Sequence, residues 1–181
     1  MTAAGLTQNY FELFDLPASY ELDVSELSNR YRKLQAAVHP DKFANASDLE
    51  KRLSMQQSAL INEAYQTLKN PLLRARYMLQ LKGVDLSNES SANMDSEFLM
   101  QQMRLREELE QVRGANDPEA KLIIIAKEIE QAIAEQVTVL TRLFDEGDDA
   151  QLTKIADYVR RMQFMVKLQR ETEALEEELI I

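Results

Sequence analysis

The chain has 181 residues, 45% hydrophobic and 29% charged, with a formal net charge of −10 and no cysteine. That length and apolar content suit one moderate core or two small ones, and the composition is not that of a disordered chain. Without cysteine there can be no disulfide, thiol nucleophile, cysteine zinc site or cysteine-ligated iron–sulfur cluster, so no cofactor or metal is expected.

At the N-terminus, Met-Thr-Ala-Ala-Gly-Leu-Thr has neither the basic start and apolar core of a signal peptide nor the arginines of a transit peptide. No apolar run approaches the roughly 20 residues that cross a bilayer, and Ile123-Ile-Ile-Ala126 is short and bounded by lysines. A cytoplasmic protein is expected, with no membrane association.

The first strong helical pattern is Ser25 to Val38, and a second runs from Asp48 to Leu68. Between them sits His39-Pro40-Asp41, which holds the only histidine. Pro40 has no backbone N–H and disfavours helix at His39, so the chain must turn there and display the three side chains at a helix–helix tip. Taken alone, the tripeptide is equally an ordinary connection, with Pro and Asp as turn formers and His as a solvated neighbour. Arg32 and Lys33, on the helix before the turn, likewise read alone as a solvated face.

Asn70-Pro71 and Asp117-Pro118 each place an N-cap residue before a proline at the first helical position. Gly83, Gly114 and Gly147 each follow a helical segment, where a C-terminal cap favours positive φ. No stretch alternates as a strand would, so the fold class expected is all-α. Residues 83–95 are polar and rich in Ser and Asn, as an interdomain linker would be, which divides the chain into domains at 1–82 and 96–181. Charge divides there too: residues 1–82 hold 10 Lys+Arg against 9 Asp+Glu, and the remainder 11 against 22. An acidic chain without a basic cluster is a poor nucleic-acid binder.

Three helices are expected beyond the linker, at about Ser96–Arg113, Pro118–Asp145 and Asp149–Leu179. Their apolar stripes run through Phe98, Leu105, Leu109 and Val112; through Leu122, Ile125, Ile129, Ile133, Val137, Leu140 and Phe144; and through Leu152, Ile155, Val159, Met162 and Val166. Short connections favour an antiparallel three-helix bundle. At about 100° per residue, Leu99, Met100 and Met103 point away from the first stripe, and Phe164 and Leu168 away from the last. Left-over apolar residues of this kind thicken a core, pack on a neighbouring domain, pair two copies or bind a partner. Glu107 and Glu108 lie near them in sequence.

The ordered series Tyr10-Phe-Glu-Leu-Phe-Asp-Leu-Pro17, Tyr31-Arg32-Lys33, His39-Pro-Asp-Lys-Phe43, Ile61-Asn-Glu-Ala-Tyr-Gln-Thr-Leu68 and Asn70-Pro71 resembles the J-domain of DnaJ-type co-chaperones. With Asn70-Pro-Leu-Leu-Arg-Ala-Arg-Tyr-Met-Leu79 and Phe98-Leu-Met-Gln-Gln-Met-Arg-Leu-Arg-Glu-Glu-Leu109, the whole chain is similar to the HscB family, the J-type co-chaperones of bacterial iron–sulfur cluster assembly. It lacks the N-terminal cysteine module of eukaryotic relatives, and the Gly/Phe linker and cysteine-rich zinc region of DnaJ.

The resemblance implies that the J-domain engages a DnaK-type chaperone, HscA, through Tyr31, Arg32, Lys33, His39, Pro40 and Asp41. It implies that the bundle binds the scaffold protein IscU through Leu99, Met100, Met103, Glu107 and Phe164, and that ATP hydrolysis belongs to the partner. The alternative is a J-like interaction module that recruits a different client through its acidic bundle. An enzyme based on His39 is not expected, since no nucleophile pattern, second histidine or phosphate loop accompanies it.

Overall fold

The computed structural model describes residues 9–43, 46–86 and 95–180, and among these every regular element is helical. The chain divides into two compact units, Met1–Met78 and Leu79–Ile181. The expected linker at 83–95 falls mainly on residues 87–94, outside the described ones.

The first unit holds α1 (Tyr10–Leu13), α2 (Val24–Val38), α3 (Asp48–Lys69) and most of α4 (Pro71–Leu81). Each start has a local cause. Asn9 and Glu12 form a capping box on α1, Asp23 accepts from the Ser25 and Glu26 N–H groups at the head of α2, and Ser47 forms a second capping box with Glu50 on α3. Pro40 ends α2 at Val38, two residues before it, with the cap residue His39 extended at φ −58° and ψ 130°. Asn70 ends α3 and caps α4, accepting from the Leu73 N–H at 3.0 Å ahead of Pro71.

The helices α2 and α3 form an antiparallel hairpin over a core of Phe11, Phe14, Leu16, Leu27, Ile61, Ala64 and Leu68. Burying one such leucine or isoleucine stabilises the unit by about 1.5–3 kcal/mol. This apolar core lies toward the end of the hairpin remote from the loop. Beside it, and on toward the loop, the two helices are joined by a polar seam: Ser28 with Tyr65, Tyr31 with Asn62, Gln35 with Ser58 and Asn62, and Ser54 with the Val38 carbonyl.

In the second unit α5 (Ser96–Glu110), α6 (Pro118–Glu146) and α7 (Leu152–Ile180) pack as a helical bundle. Since α5 has 15 residues and α6 and α7 have 29 each, the third helix covers only about half the length of the other two. Phe98, Leu105, Leu109, Val112, Leu122, Ile125 and Ile129 are buried as the stripes require.

Two expectations about this core are corrected. Leu168 is core, at 1% exposure, and Phe164 is half-buried against the same cluster. The stripe of α7 does not continue straight from Met162 to Val166. It passes through Met165, Leu168, Thr172 and Leu175, all buried. Each step of three residues turns the stripe back by about 60°, so two in succession swing the buried face toward α5, a rotation that a single 3.6-residue template cannot anticipate.

The glycine caps are corrected in part. Gly83 and Gly147 take φ of 76° and 64°, as left-handed caps do, whereas Gly114 sits in the 3-10 turn Val112–Gly114. There the Ala115 N–H reaches the Val112 carbonyl at 3.0 Å, and this tightened end needs no left-handed residue.

Candidate functional site

Two surfaces are candidates. The first is the tip of the α2–α3 hairpin, where Pro40–Phe43 wind into one 3-10 turn closed by the Lys42 N–H on the His39 carbonyl at 3.0 Å. The Asp41 N–H reaches His39 Nδ1 at 3.3 Å, and the Asp41 carboxylate lies 3.5 Å from the same nitrogen. An imidazole that accepts at Nδ1 carries its proton on Nε2 when neutral. The His39 side chain is 56% exposed and that of Asp41 90%. Neither contributes to a core.

The cations of α2 divide into two roles. Arg30 is committed internally: it pairs with Glu26 at 2.7 Å and Asp15 at 2.8 Å, and donates to the Phe14 carbonyl at 2.9 Å. It thereby fixes the turn in which Asp15 adopts φ 52°. These pairings raise its pKa further, chiefly through the hydrogen bond to Glu26. Arg32 and Lys33 are exposed, and among the described residues neither pairs with a carboxylate; Arg32 donates only to Asn29. Tyr31 is partly buried, stacked on Tyr65 at 4.1 Å and hydrogen-bonded to Asn62 at 2.8 Å. Sequence reasoning placed Tyr31 beside the cations, and the structure gives it a packing role on the hairpin as well.

The second surface is the outer side of α5. The Asp95 carboxylate starts this helix by accepting from the Phe98 N–H at 2.7 Å and pairs with Arg161 at 2.5 Å. Those contacts, the Phe98 N–H foremost, hold its pKa below the usual carboxylate range. With Phe98, Leu105 and Leu109 facing the core, Leu99, Met100, Met103 and Glu107 fall on an arc of about 100° on the opposite side. Met100 and Met103 are 64% and 63% exposed, and Leu99 is 37% exposed.

The other expected members differ from these. Glu108 is engaged by Arg104, which also bridges to Glu128 on α6. Phe164 meets Phe98 edge-on, centroids 6.4 Å apart, while the Arg161 guanidinium lies over the Phe98 ring at 5.6 Å. The expected Phe164 position on a free face is therefore corrected: it is an edge of the core under the first turn of α5. Its ring is held there because Phe98 supplies an aromatic partner.

Several large exposed apolar residues escaped the sequence reading, among them Leu49 and Met55 on α3 and the adjacent pair Ile123 and Ile124 on α6. Ile123 and Ile124 on α6 are 65% and 67% exposed. They read only as part of a short apolar run, and their outward position depends on where α5 and α7 pack. Among the described residues no helix is long and apolar enough to cross a membrane, and no group of His, Asp and Glu converges as a metal site would require.

Comparison with known proteins agrees with both halves of this geometry. Residues 9–77 match the DnaJ domain model, and residues 94–173 match the HSCB C-terminal oligomerisation domain model. The co-chaperone protein HscB homolog of Shewanella halifaxensis is 47% identical over 171 residues, covering 94% of this chain and 98% of the relative. Among solved structures, chaperone HscB from Vibrio cholerae is 42% identical with a TM-score of 0.83, over 95% of this chain and 99% of that one. Human co-chaperone protein HscB is 28% identical with a TM-score of 0.87, over 97% and 86%. The chain belongs to the HscB co-chaperone family.

Proposed function

We propose that this HscB-family co-chaperone binds the iron–sulfur scaffold IscU through its C-terminal unit, delivers it to the DnaK-type chaperone HscA, and stimulates HscA ATP hydrolysis in the cytoplasm. The observation that carries the reading is the exposure of His39 and Asp41 in the turn at the end of a hairpin whose adjoining helix presents Arg32 and Lys33 without acidic partners among the described residues.

The physics of each surface suits its task. Two exposed cations beside a polar turn, with no carboxylate partner among the described residues, attract an acidic ATPase surface over several ångströms and orient the encounter before short-range contacts form. The turn then supplies a carboxylate and an imidazole at fixed spacing. On the bundle, Leu99, Met100 and Met103 offer flexible apolar area flanked by the Glu107 carboxylate, a surface that gains most when a partner covers it. Hydrolysis is the chaperone's chemistry, and the co-chaperone contributes binding and orientation only.

The test is steady-state ATP turnover by purified HscA with IscU alone, with this protein alone and with both. The reading predicts that the two additions together exceed either one. Turnover that never rises above the HscA–IscU value would refute it.

A further inference from the structure

Ser54 is 2% exposed, a buried polar residue near the loop end of α3, and its hydroxyl donates to the Val38 carbonyl at 2.7 Å. Most helical serine and threonine hydroxyls with a described bond stay within their own helix, and of the two α3 serines that cross to α2, Ser58 meets a side chain, Gln35, whereas Ser54 meets the backbone. Ser28, Thr138, Thr141 and Thr172 each donate to the carbonyl four residues back in their own helix, as serine and threonine ordinarily do. Ser54 crosses instead to the neighbouring helix.

The acceptor gives the bond its meaning. Val38 is the last residue of α2, and the last four carbonyls of a helix have no partner within it. The helix cannot be extended to supply one, because His39 turns away ahead of Pro40. The direction in which the peptide after Val38 leaves the helix is therefore free unless something outside α2 holds it. The Val38 side chain packs on the edge of the apolar core, but the buried α3 members of that core, Ile61, Ala64 and Leu68, lie about two turns or more beyond Ser54, and a side-chain contact of this kind does not orient the Val38 carbonyl. Ser54 is the last rung of the polar seam and, among the described residues, the only rung that grips the backbone at the point where it enters the loop.

We propose that Ser54 is a positioning residue for the His39-Pro40-Asp41 turn: its buried hydroxyl fixes the Val38 carbonyl and so sets the angle at which α2 presents the turn to the chaperone. The inference rests on the co-chaperone reading above. It assigns no contact with the partner to Ser54 itself, which is covered by its own unit.

Three substitutions test it: Ser54→Ala, Ser54→Thr, and Ser58→Ala, which removes the hydroxyl one turn along that serves Gln35 instead. With Ser54→Ala, stimulation of the DnaK-type partner at saturating co-chaperone should fall about three- to tenfold, the range carried by one lost hydrogen bond. The half-saturating concentration, set mainly by Arg32 and Lys33, should change less than about twofold. The backbone amide signals of His39, Asp41 and Lys42 should shift in the free protein. Ser54→Thr keeps a hydroxyl and should retain most of the stimulation, and Ser58→Ala should leave both stimulation and loop signals as they are.

Unchanged stimulation in Ser54→Ala would overturn the proposal, as would equal loss in Ser58→Ala or a loss that merely tracks a lowered melting temperature. If both Ser54 variants fail to fold, Ser54 serves the fold and the proposal falls. If the wild-type protein does not stimulate at all, the co-chaperone reading fails, and the loop amide signals still decide whether Ser54 holds the turn.

Discussion

The hairpin tip and the outer face of α5 are both exposed, yet they are built by opposite means. At the tip, backbone chemistry does the work: a proline that ends α2, a 3-10 turn, a capping box that restarts the chain at Ser47. On α5 no backbone feature marks the surface, and Leu99, Met100 and Met103 are exposed only because Phe98, Leu105 and Leu109 take the core positions of an ordinary helix. A surface of the first kind is sensitive to single atoms. One of the second kind is an area, and its loss is graded.

The largest effect expected from this contrast is at His39. His39→Gln should remove stimulation of HscA altogether while helical circular dichroism and the melting temperature stay within error, because an exposed loop side chain carries little folding energy. A variant that keeps stimulation would deprive the tip of its assigned role.

On α5 the losses should be partial. Leu99→Ala, Met100→Ala and Met103→Ala should each weaken IscU binding by up to about 1–2 kcal/mol, measured by titration calorimetry, with stability changed by no more than about 0.5 kcal/mol. Phe164→Ala sharpens the comparison. Half-buried against Phe98, it should cost about 2 kcal/mol or more of stability in chemical denaturation whatever it does to binding. If Phe164→Ala left stability intact, its place in the core would be wrong.

Reversing Arg32 and Lys33 to Glu should weaken HscA binding by about tenfold at low salt, with the difference shrinking as ionic strength rises. A salt-insensitive affinity would reduce this part of α2 to a solvated face.

The smallest effect concerns pH. Hydrogen bonds from the Ser47 hydroxyl and N–H hold the Glu50 carboxyl below its ordinary value, and the Phe98 N–H does the same for Asp95, aided by Arg161. Both folded values lie below the unfolded ones, so the stabilisation is complete above the ordinary carboxylate range and fades as pH falls through the lowered values. Amide protection at the first turns of α3 and α5, taken relative to the intrinsic exchange rate at each pH, should therefore fall below about pH 4. Glu50→Gln should abolish the α3 component and leave that of α5.

How much the sequence revealed follows the same contrast. The tip was legible because proline, the caps and the turn act locally, and the helix bounds around it shift by a residue at most from the expected Ser25 and Leu68. The first-half stripes of the bundle were equally plain, from Phe98 through Ile129. Phe164 and Leu168 were misplaced because which face of α7 is buried changes along its length with the helices beside it, and that is a tertiary fact. Ile123 and Ile124 were missed for the same reason. Ser54 was silent in the sequence, since nothing in a serine's local pattern distinguishes a bond to its own helix from one to its neighbour.

The most direct test of the account is whether the two surfaces act separately. HscA turnover and IscU binding should be measured together for wild type, for His39→Gln and for the triple variant Leu99→Ala, Met100→Ala, Met103→Ala. The account predicts that His39→Gln binds IscU normally and stimulates nothing, whereas the triple variant loses IscU binding and still stimulates HscA in the absence of IscU. A folded variant of either kind that loses both properties would contradict it.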